Sequence, residues 1–81
     1  MRLLYFAWLR QTIAKSEETL DLPPGSVAEL VAHLKTRGPE YAAAFADKAR
    51  LRAAINQDYA AFESMVAPGD EVAFFPPVTG G

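Results

Sequence analysis

The chain has 81 residues, of which 51 % are hydrophobic, and a formal net charge of −2 at pH 7, a size that supports one small core and excludes a deep, enclosed cofactor pocket. The absence of cysteine excludes disulfides and thiolate metal sites, and a single histidine is too few for a metal cluster. The Lys and Arg residues are scattered rather than clustered, which argues against a nucleic-acid partner.

The first predicted element is an apolar strand. Residues 2–9 are apolar at nearly every position and rich in aromatics, which is typical of a strand covered on both faces. This stretch is too short to cross a membrane and lacks a signal-peptide cleavage region, so we expect a cytoplasmic protein with no membrane partner. A turn-like segment over 12–16 leads to a second strand over 17–22, which ends at Pro23-Pro24-Gly25.

A helix is predicted to begin at Ser26. Ser26 and Glu29 have the spacing of a capping box, in which each side chain bonds the other residue's backbone N–H. We expect Gly38-Pro39 to end this helix, as a C′ glycine followed by a residue that cannot continue it. The spacing of the apolar residues indicates one buried face, formed by Val27, Leu30, Val31 and Leu34.

The second half of the chain is predicted to be mostly strands. An alanine-rich stretch over 40–48 indicates a short and weakly anchored helical turn. Three strands follow, over 51–55, 59–62 and 71–75, with turns at Asn56-Gln57-Asp58 and Pro68-Gly69-Asp70. The fold class is therefore predicted to be α+β: a roll in which a mixed sheet packs on one main helix, with the first and last strands side by side.

The sequence offers no support for catalysis by side chains. His33 lies off the apolar face of the helix, and none of the serines has the motif context of a nucleophile. Asp70 and Glu71 are neighbours at the start of a strand and point to opposite faces, so they cannot act together as a general acid and base.

The candidate chemistry lies instead in the C-terminal segment. A tail over 76–81, beginning with the rigid Pro76-Pro77 pair, is expected to extend at most about 20 Å from a domain over 1–75. The α-carboxylate of Gly81 is ionised at neutral pH and can attack the α-phosphate of ATP to form an acyl adenylate. Because glycine has no side chain, a narrow channel in a partner can admit this end. A frayed, inert tail is the alternative.

Three blocks of sequence together resemble the small subunits of molybdopterin synthases. They are residues 69–81, the segment 4–10 without Trp8, and Ala54-Ile55-Asn56-Gln57. This resemblance spans the whole chain and implies the ubiquitin-like β-grasp fold. It also implies that a ubiquitin-activating-like adenylyltransferase uses ATP to adenylate Gly81, and that a sulfur donor protein then makes the thiocarboxylate. No cofactor is expected on the chain itself.

The resemblance further implies the partner and the docking residues. The thiocarboxylate is expected to give its sulfur to cyclic pyranopterin monophosphate inside the large synthase subunit, in a heterotetramer of two small and two large subunits. The chain alone is expected to catalyse nothing. If Val72 and Phe74 face the core, strand alternation turns Phe75 outward. The candidate partner-binding residues are Phe75, Phe6, Tyr59, Arg10, Pro76, Pro77, Val78, Thr79 and Gly80.

Several alternatives remain open on the sequence alone. Phe6 and Tyr59 are equally compatible with ordinary core or rim positions, and Arg10 with a solvated charge. Sulfur delivery to thiamine or to tRNA uses the same chemistry at Gly81. A ubiquitin-like modifier joined to lysines through Gly81, or an interaction module with an inert tail, would fit the same pattern.

Overall fold

A five-stranded mixed sheet forms the centre of the computed structural model, which describes residues 1–77. Within residues 1–77 the strands are β1 (Arg2–Tyr5), β2 (Glu17–Thr19), β3 (Gly25–Ser26), β4 (Arg52–Ile55), β5 (Asp58–Ala60), β6 (Met65–Val66) and β7 (Glu71–Phe75). The main sheet has the order β2-β1-β7-β4-β5, and β3 pairs with β6 in a separate two-stranded sheet. In the five-stranded sheet β1 and β7 run parallel at the centre, whereas the other strand pairs are antiparallel. The predicted pairing of first and last strands is confirmed.

The two central strands are buried most completely on the face towards the helices. Leu3 and Tyr5 of β1 and Val72 and Phe74 of β7 are at most 1 % exposed. Their neighbours on the other face, such as Ala73, are only half-buried. This difference gives the sheet an inner face that belongs to the core and an outer face that reaches solvent.

The main helix, α2 (Val27–Lys35), begins with the predicted capping box. The backbone N–H of Glu29 donates to Ser26 Oγ at 3.1 Å, and the N–H of Ser26 donates to Glu29 Oε1 at 2.9 Å. Two orphan amides of the first turn are thereby satisfied. The four predicted apolar residues are buried in the same core as the inner face of the sheet, and His33 is exposed.

Gly38 and Pro39 begin another helix rather than ending α2, so that prediction was wrong. α2 ends at Lys35, and the N–H of Thr36 already bonds back to the carbonyls of His33 and Leu34. Gly38 is instead the N-cap of α3 (Pro39–Ala44), with Pro39 in the first turn, where a missing N–H costs nothing.

The alanine-rich helix α3 is also anchored more firmly than predicted. Tyr41 and Phe45 are 4 % and 1 % exposed, and the Phe45 ring lies 5.0 Å from that of Phe74 in an edge-to-face contact. Two aromatic side chains therefore fix this short segment to the sheet, and the alanines between them only fill the remaining space. A single 3₁₀ turn, Lys48–Arg50, then leads to β4.

The predicted first strand is wrong in its second half, which is helical. β1 ends at Tyr5, the chain turns at Ala7 with a φ of 55°, and α1 (Trp8–Ile13) follows. Leu9 and Ile13 of α1 are buried. An unbroken apolar run has no period that separates a buried strand from the buried face of a short helix, and no glycine or proline marks the break at Ala7.

The turn between β4 and β5 is held in a left-handed conformation. Asn56 and Gln57 have φ values of 50° and 74°, as the two central residues of a type I′ hairpin turn require. The Asn56 side chain also connects this turn to the next: its amide donates to Asp70 Oδ1 at 3.1 Å, and its oxygen accepts from the N–H of Glu71 at 3.0 Å.

We expect Gln57→Gly to stabilise the protein. A left-handed conformation costs a residue with a Cβ about 1 to 2 kcal/mol, and glycine avoids most of this cost although the unfolded chain becomes more flexible. The net gain should be about 0.5 to 1 kcal/mol, measured by urea unfolding. Gln57→Ala is the control and should change stability little, because alanine keeps the Cβ. A loss of stability in the glycine variant would contradict the turn assignment.

Candidate functional site

The end of β7 fixes the point at which the C-terminal segment leaves the sheet. Val72 and Phe74 face the core, and Phe75 is half-buried on the outer face, as predicted. Pro76 and Pro77 follow and are also half-buried. The remaining predicted site residues, Val78, Thr79, Gly80 and Gly81, lie outside the described residues.

Three aromatic residues that are at least partly exposed, Phe6, Tyr59 and Phe75, lie near this exit point, and we refer to them as the aromatic patch. The ring of Tyr59 lies 5.7 Å from that of Phe75, and Tyr59 is 79 % exposed. Phe6 is 46 % exposed, and its N–H donates to the carbonyl of Phe74 at 3.1 Å, which places it next to the end of β7. Neither Phe6 nor Tyr59 is a core residue, so the alternative that they belong to the core is wrong.

Arg10, the predicted charged contact, lies on α1 and is exposed. α1 begins two residues after Phe6, so Arg10 is on the element that follows the aromatic patch in the chain. Among residues 1–77, no carboxylate forms an ion pair with it.

Two further arginines, which the sequence analysis did not select, lie at the same end of the sheet. Arg52 is directly opposite Phe75 in the β4–β7 ladder, and its guanidinium donates to the carbonyl of Leu51 at 2.7 Å. The guanidinium of Arg50 lies 4.7 Å from the centroid of the Trp8 ring, a cation–π contact. Strand alternation over 51–55 was the available signal for Arg52, because the buried residues Leu51 and Ala53 turn it outward.

The opposite end of the outer face carries charges that neutralise one another. Arg2 forms ion pairs with Glu17 at 2.6 Å and with Glu71 at 3.6 Å. Glu71 is the first residue of β7, and Arg2 lies opposite it in the β1–β7 ladder, one strand length away from Phe75. At one end of the outer face the charged side chains are therefore paired with one another. The other end, where the tail begins, carries aromatic side chains and arginines.

A partly buried carboxylate on the inner side, Glu18, connects four segments of the chain. Its side chain is 10 % exposed and accepts hydrogen bonds from the hydroxyls of Tyr5 and Tyr41, both at 2.7 Å. Arg37 donates to it at 2.9 Å and Lys15 at 3.4 Å. Burial alone raises the pKa of Glu18, but the hydrogen bonds from Tyr41, Tyr5 and Arg37 outweigh it and lower this pKa to about 2.

This network is structural rather than catalytic. Burial, helped by the hydrogen bond to Glu18, raises the pKa of both Tyr5 and Tyr41. At neutral pH the tyrosines therefore remain protonated and the carboxylate remains ionised, whereas a general acid or base works best with a pKa near the operating pH. The network fastens β2 and α3 to the sheet on the side away from the aromatic patch.

We expect the Glu18 network to make stability depend on acid pH. Because the folded state lowers the pKa of Glu18 from 4.5 to about 2, its contribution is complete above pH 4.5 and is lost as the pH falls towards 2. This gap corresponds to up to about 3 kcal/mol. Glu18→Gln should remove most of this at pH 7 and flatten the acid limb in urea unfolding measured from pH 7 to 2.

Glu17→Gln is the matched control for this prediction. Glu17 is the neighbouring carboxylate, but its ion pair with Arg2 lies on the surface, with both side chains more than half exposed. Such pairs contribute about 0 to 1 kcal/mol. If the Glu17 and Glu18 variants unfolded alike at every pH, the assignment of the acid limb to Glu18 would be wrong.

The described part of the chain offers no built site for a metal or a large cofactor. No three His, Asp or Glu residues among 1–77 come close enough together to hold a metal ion. One cavity of about 140 Å³ lies between the loop before α2 and His33, and another of about 280 Å³ lies between α2 and the segment 45–48. Both volumes are below the roughly 300 Å³ at which small-molecule sites begin. None of the helices over 1–77 has the length and apolarity needed to span a membrane.

Comparisons with known proteins connect the chain to sulfur carriers. A family model described as "ThiS family" matches residues 3–81. The molybdopterin synthase sulfur carrier subunit of Haemophilus influenzae is 40 % identical over 81 residues, covering 100 % of this chain and 99 % of the relative. The protein of the same name from Escherichia coli is 39 % identical over 83 residues with the same coverage.

The fold is likewise shared with a solved structure. SAMP1 from Haloferax volcanii superposes with a TM-score of 0.76 and 25 % identity, covering 100 % of this chain and 98 % of that chain. The sheet order and the packed helix correspond to the ubiquitin-like β-grasp fold. The predicted fold class is therefore confirmed.

Proposed function

Since this chain belongs to the ThiS family, we propose that it is the sulfur carrier subunit of a molybdopterin synthase. The observation that carries the proposal is the identity of about 40 % with two proteins of that name, from end to end of both chains. In this role the chain is a subunit that delivers sulfur, and the catalytic pocket belongs to the large subunit.

The proposed chemistry uses the α-carboxylate of Gly81. A carboxylate oxygen attacks the α-phosphorus of ATP, the bond to the β-phosphate breaks and pyrophosphate leaves, which gives an acyl adenylate. Sulfur at the oxidation level of hydrosulfide, supplied by the donor protein, then attacks the carbonyl carbon and displaces AMP, and loss of the S–H proton leaves the thiocarboxylate. The ATP is bound by the activating adenylyltransferase, so the carrier itself needs no cofactor.

The thiocarboxylate at Gly81 is also the group that delivers sulfur to the pterin. In the large subunit the thiocarboxylate sulfur forms a C–S bond to a carbon of cyclic pyranopterin monophosphate as the C–O bond at that carbon breaks and its oxygen leaves. Water then attacks the carbonyl carbon of the resulting thioester, which returns the Gly81 carboxylate and leaves the sulfur on the pterin as a thiolate. Two such deliveries supply the two sulfurs of the dithiolene. The chain contains no cysteine, so no thiol of its own can capture the activated carbonyl.

The structure suits a carrier because it holds the exit of the tail in a fixed place. β7 is bonded on both sides, to β1 and to β4, so Phe75 cannot move without disturbing the centre of the sheet. Pro76 and Pro77 then restrict the backbone. An end that is fixed at its base loses less entropy when it enters a partner's channel, and a tip of glycines without side chains fits a narrow channel.

We propose that the aromatic patch docks on the large subunit. Exposed aromatic clusters on small soluble domains are typical of protein interfaces, and this one borders the exit of the tail. Arg10, Pro76 and Pro77, with the tail residues Val78, Thr79 and Gly80, complete the proposed contact. The proposed assembly holds two copies of each subunit and works in the cytoplasm.

Mass spectrometry of the protein isolated from its native cell tests the proposal. Replacement of one oxygen by sulfur at Gly81 should add about 16 Da, as the acyl-activation chemistry requires, and the large synthase subunit should co-purify. Co-purification with a thiamine or tRNA thiolation enzyme instead would assign the carrier to that pathway. Peptides joined to lysine through Gly81 would identify a protein modifier. A free acid only, with activity surviving deletion of Gly81, would exclude every carrier role.

A further inference from the structure

Arg50 and Arg52 form a cationic rim beside the aromatic patch, and their charges are not used within residues 1–77. Ion pairs in this part of the chain involve Arg2, Lys15 and Arg37, and neither rim arginine takes part in one. The nearest carboxylate in sequence, Asp47, accepts from the N–H of Ala49 at 3.0 Å as a cap. Two adjacent positive charges therefore face solvent on a protein whose net charge is −2.

Both guanidinium groups are held in place while keeping donors free. Arg52 uses an N–H on the carbonyl of Leu51, and Arg50 offers the face of its guanidinium to Trp8. A guanidinium has five N–H donors in a planar fork, so each arginine retains an edge that can bind a carboxylate. Restraint in the free protein lowers the entropy lost on binding.

We propose that the rim binds acidic side chains at the edge of the large subunit's docking surface and speeds the association of the two subunits. This inference rests on the proposed function. It rests also on the position of Arg52 opposite Phe75, which makes the rim continuous with the aromatic patch. Charges at the rim of an interface act mainly on the association rate and on its dependence on salt.

Stopped-flow association with the large synthase subunit encoded by the same genome is the test. Arg52→Glu should lower the association rate constant about tenfold at low ionic strength. The difference should nearly vanish in about 1 M NaCl, where the Debye length is about 3 Å. The neutral variant Arg52→Gln should give a smaller loss with the same salt dependence. Circular dichroism melting confirms that each variant is folded.

Lys35→Glu is the matched control. Lys35 is exposed at the end of α2, in the helix layer that covers the inner face of the sheet, and its reversal changes the net charge by the same amount. This control should bind at close to the wild-type rate. If Lys35→Glu lowered the association rate constant as much as Arg52→Glu, the proposed role of the rim would be wrong, and the effect would come from the net charge of the whole molecule.

Two other outcomes are distinguishable from these. If the wild-type chain does not bind the large subunit at all, the proposed function fails. If it binds and Arg52→Glu binds at the same rate and with the same salt dependence, only the rim is wrong. Analytical ultracentrifugation tests a further outcome. If the wild-type chain self-associates and Arg52→Glu abolishes this, the rim binds a second copy of this chain, and the proposed role in binding the large subunit is wrong.

Discussion

Adding one residue after Gly81 is expected to abolish sulfur transfer and leave the fold intact. The extension converts the terminal carboxylate at Gly81 into an amide, which cannot attack ATP and so cannot become a thiocarboxylate. The core cluster among residues 1–77 runs from Met1 to Phe74, so we expect the midpoint of thermal unfolding to move by less than about 2 °C. In vitro conversion of the pterin by the reconstituted synthase, alongside calorimetry, measures both effects.

Deletion of Gly81 provides the companion variant. It leaves Gly80 as the new terminus, so a carboxylate is present but one residue, at most about 3.5 Å, further back along the tail. We expect no transfer, because the reacting atom must lie within about 3.5 Å of its target. Sulfur reaching the pterin from the extended variant would refute the terminal carboxylate as the reactive group, and an equal fall in stability would refute the independence of the tail from the fold.

The second large effect is expected at Phe74. Its side chain is fully buried, with ring centroids 5.0 Å from Phe45 and 6.4 Å from Tyr5. Phe74→Ala opens a cavity at the junction of sheet and α3 and should cost about 3 to 5 kcal/mol. A domain of this size has about 4 to 12 kcal/mol in total, so urea unfolding should show a protein close to its limit of stability.

Phe75→Ala is the matched control for Phe74→Ala. The two phenylalanines are adjacent in β7, but Phe75 is half-buried on the outer face, where the surrounding space is open to water. Its loss should cost about 1 kcal/mol or less of stability and should weaken binding of the large subunit instead. Similar unfolding free energies for the two variants would show that the inner and outer faces of β7 were assigned wrongly.

The elements that could be predicted from the sequence have both a periodic apolar pattern and residues that mark where the element begins or ends. β7 was predicted over 71–75 as observed, because alternation is enclosed there by a turn and by Pro76. The start of α2 was clear because Ser26 and Glu29 make a local interaction. α1 could not be predicted because Leu9 is as apolar as the strand before it. The signal for the anchoring of α3 is the pair Tyr41 and Phe45, whose i, i+4 spacing places both aromatic side chains on one face of a helix.

Only those features of the candidate site that depend on local sequence could be predicted. The outward direction of Phe75 follows from strand alternation, which is local. The exposure of Phe6 was not predictable, because it depends on the chain leaving the sheet after Tyr5. Glu18 bonds Tyr5, which is 13 positions before it, and Tyr41, which is 23 positions after it. A single sequence gives no signal for contacts between residues so far apart.

The central position of β7 ties completion of the fold to the final part of protein synthesis. β1 and β4 bond to β7 and not to each other, so until residues 71–75 leave the ribosome each retains an open edge. Pairing of β1 with β7 spans nearly the whole chain, and contacts so distant in sequence form late in folding. A nascent chain that still lacks β7 therefore does not yet have the ordered outer face on which the proposed docking depends.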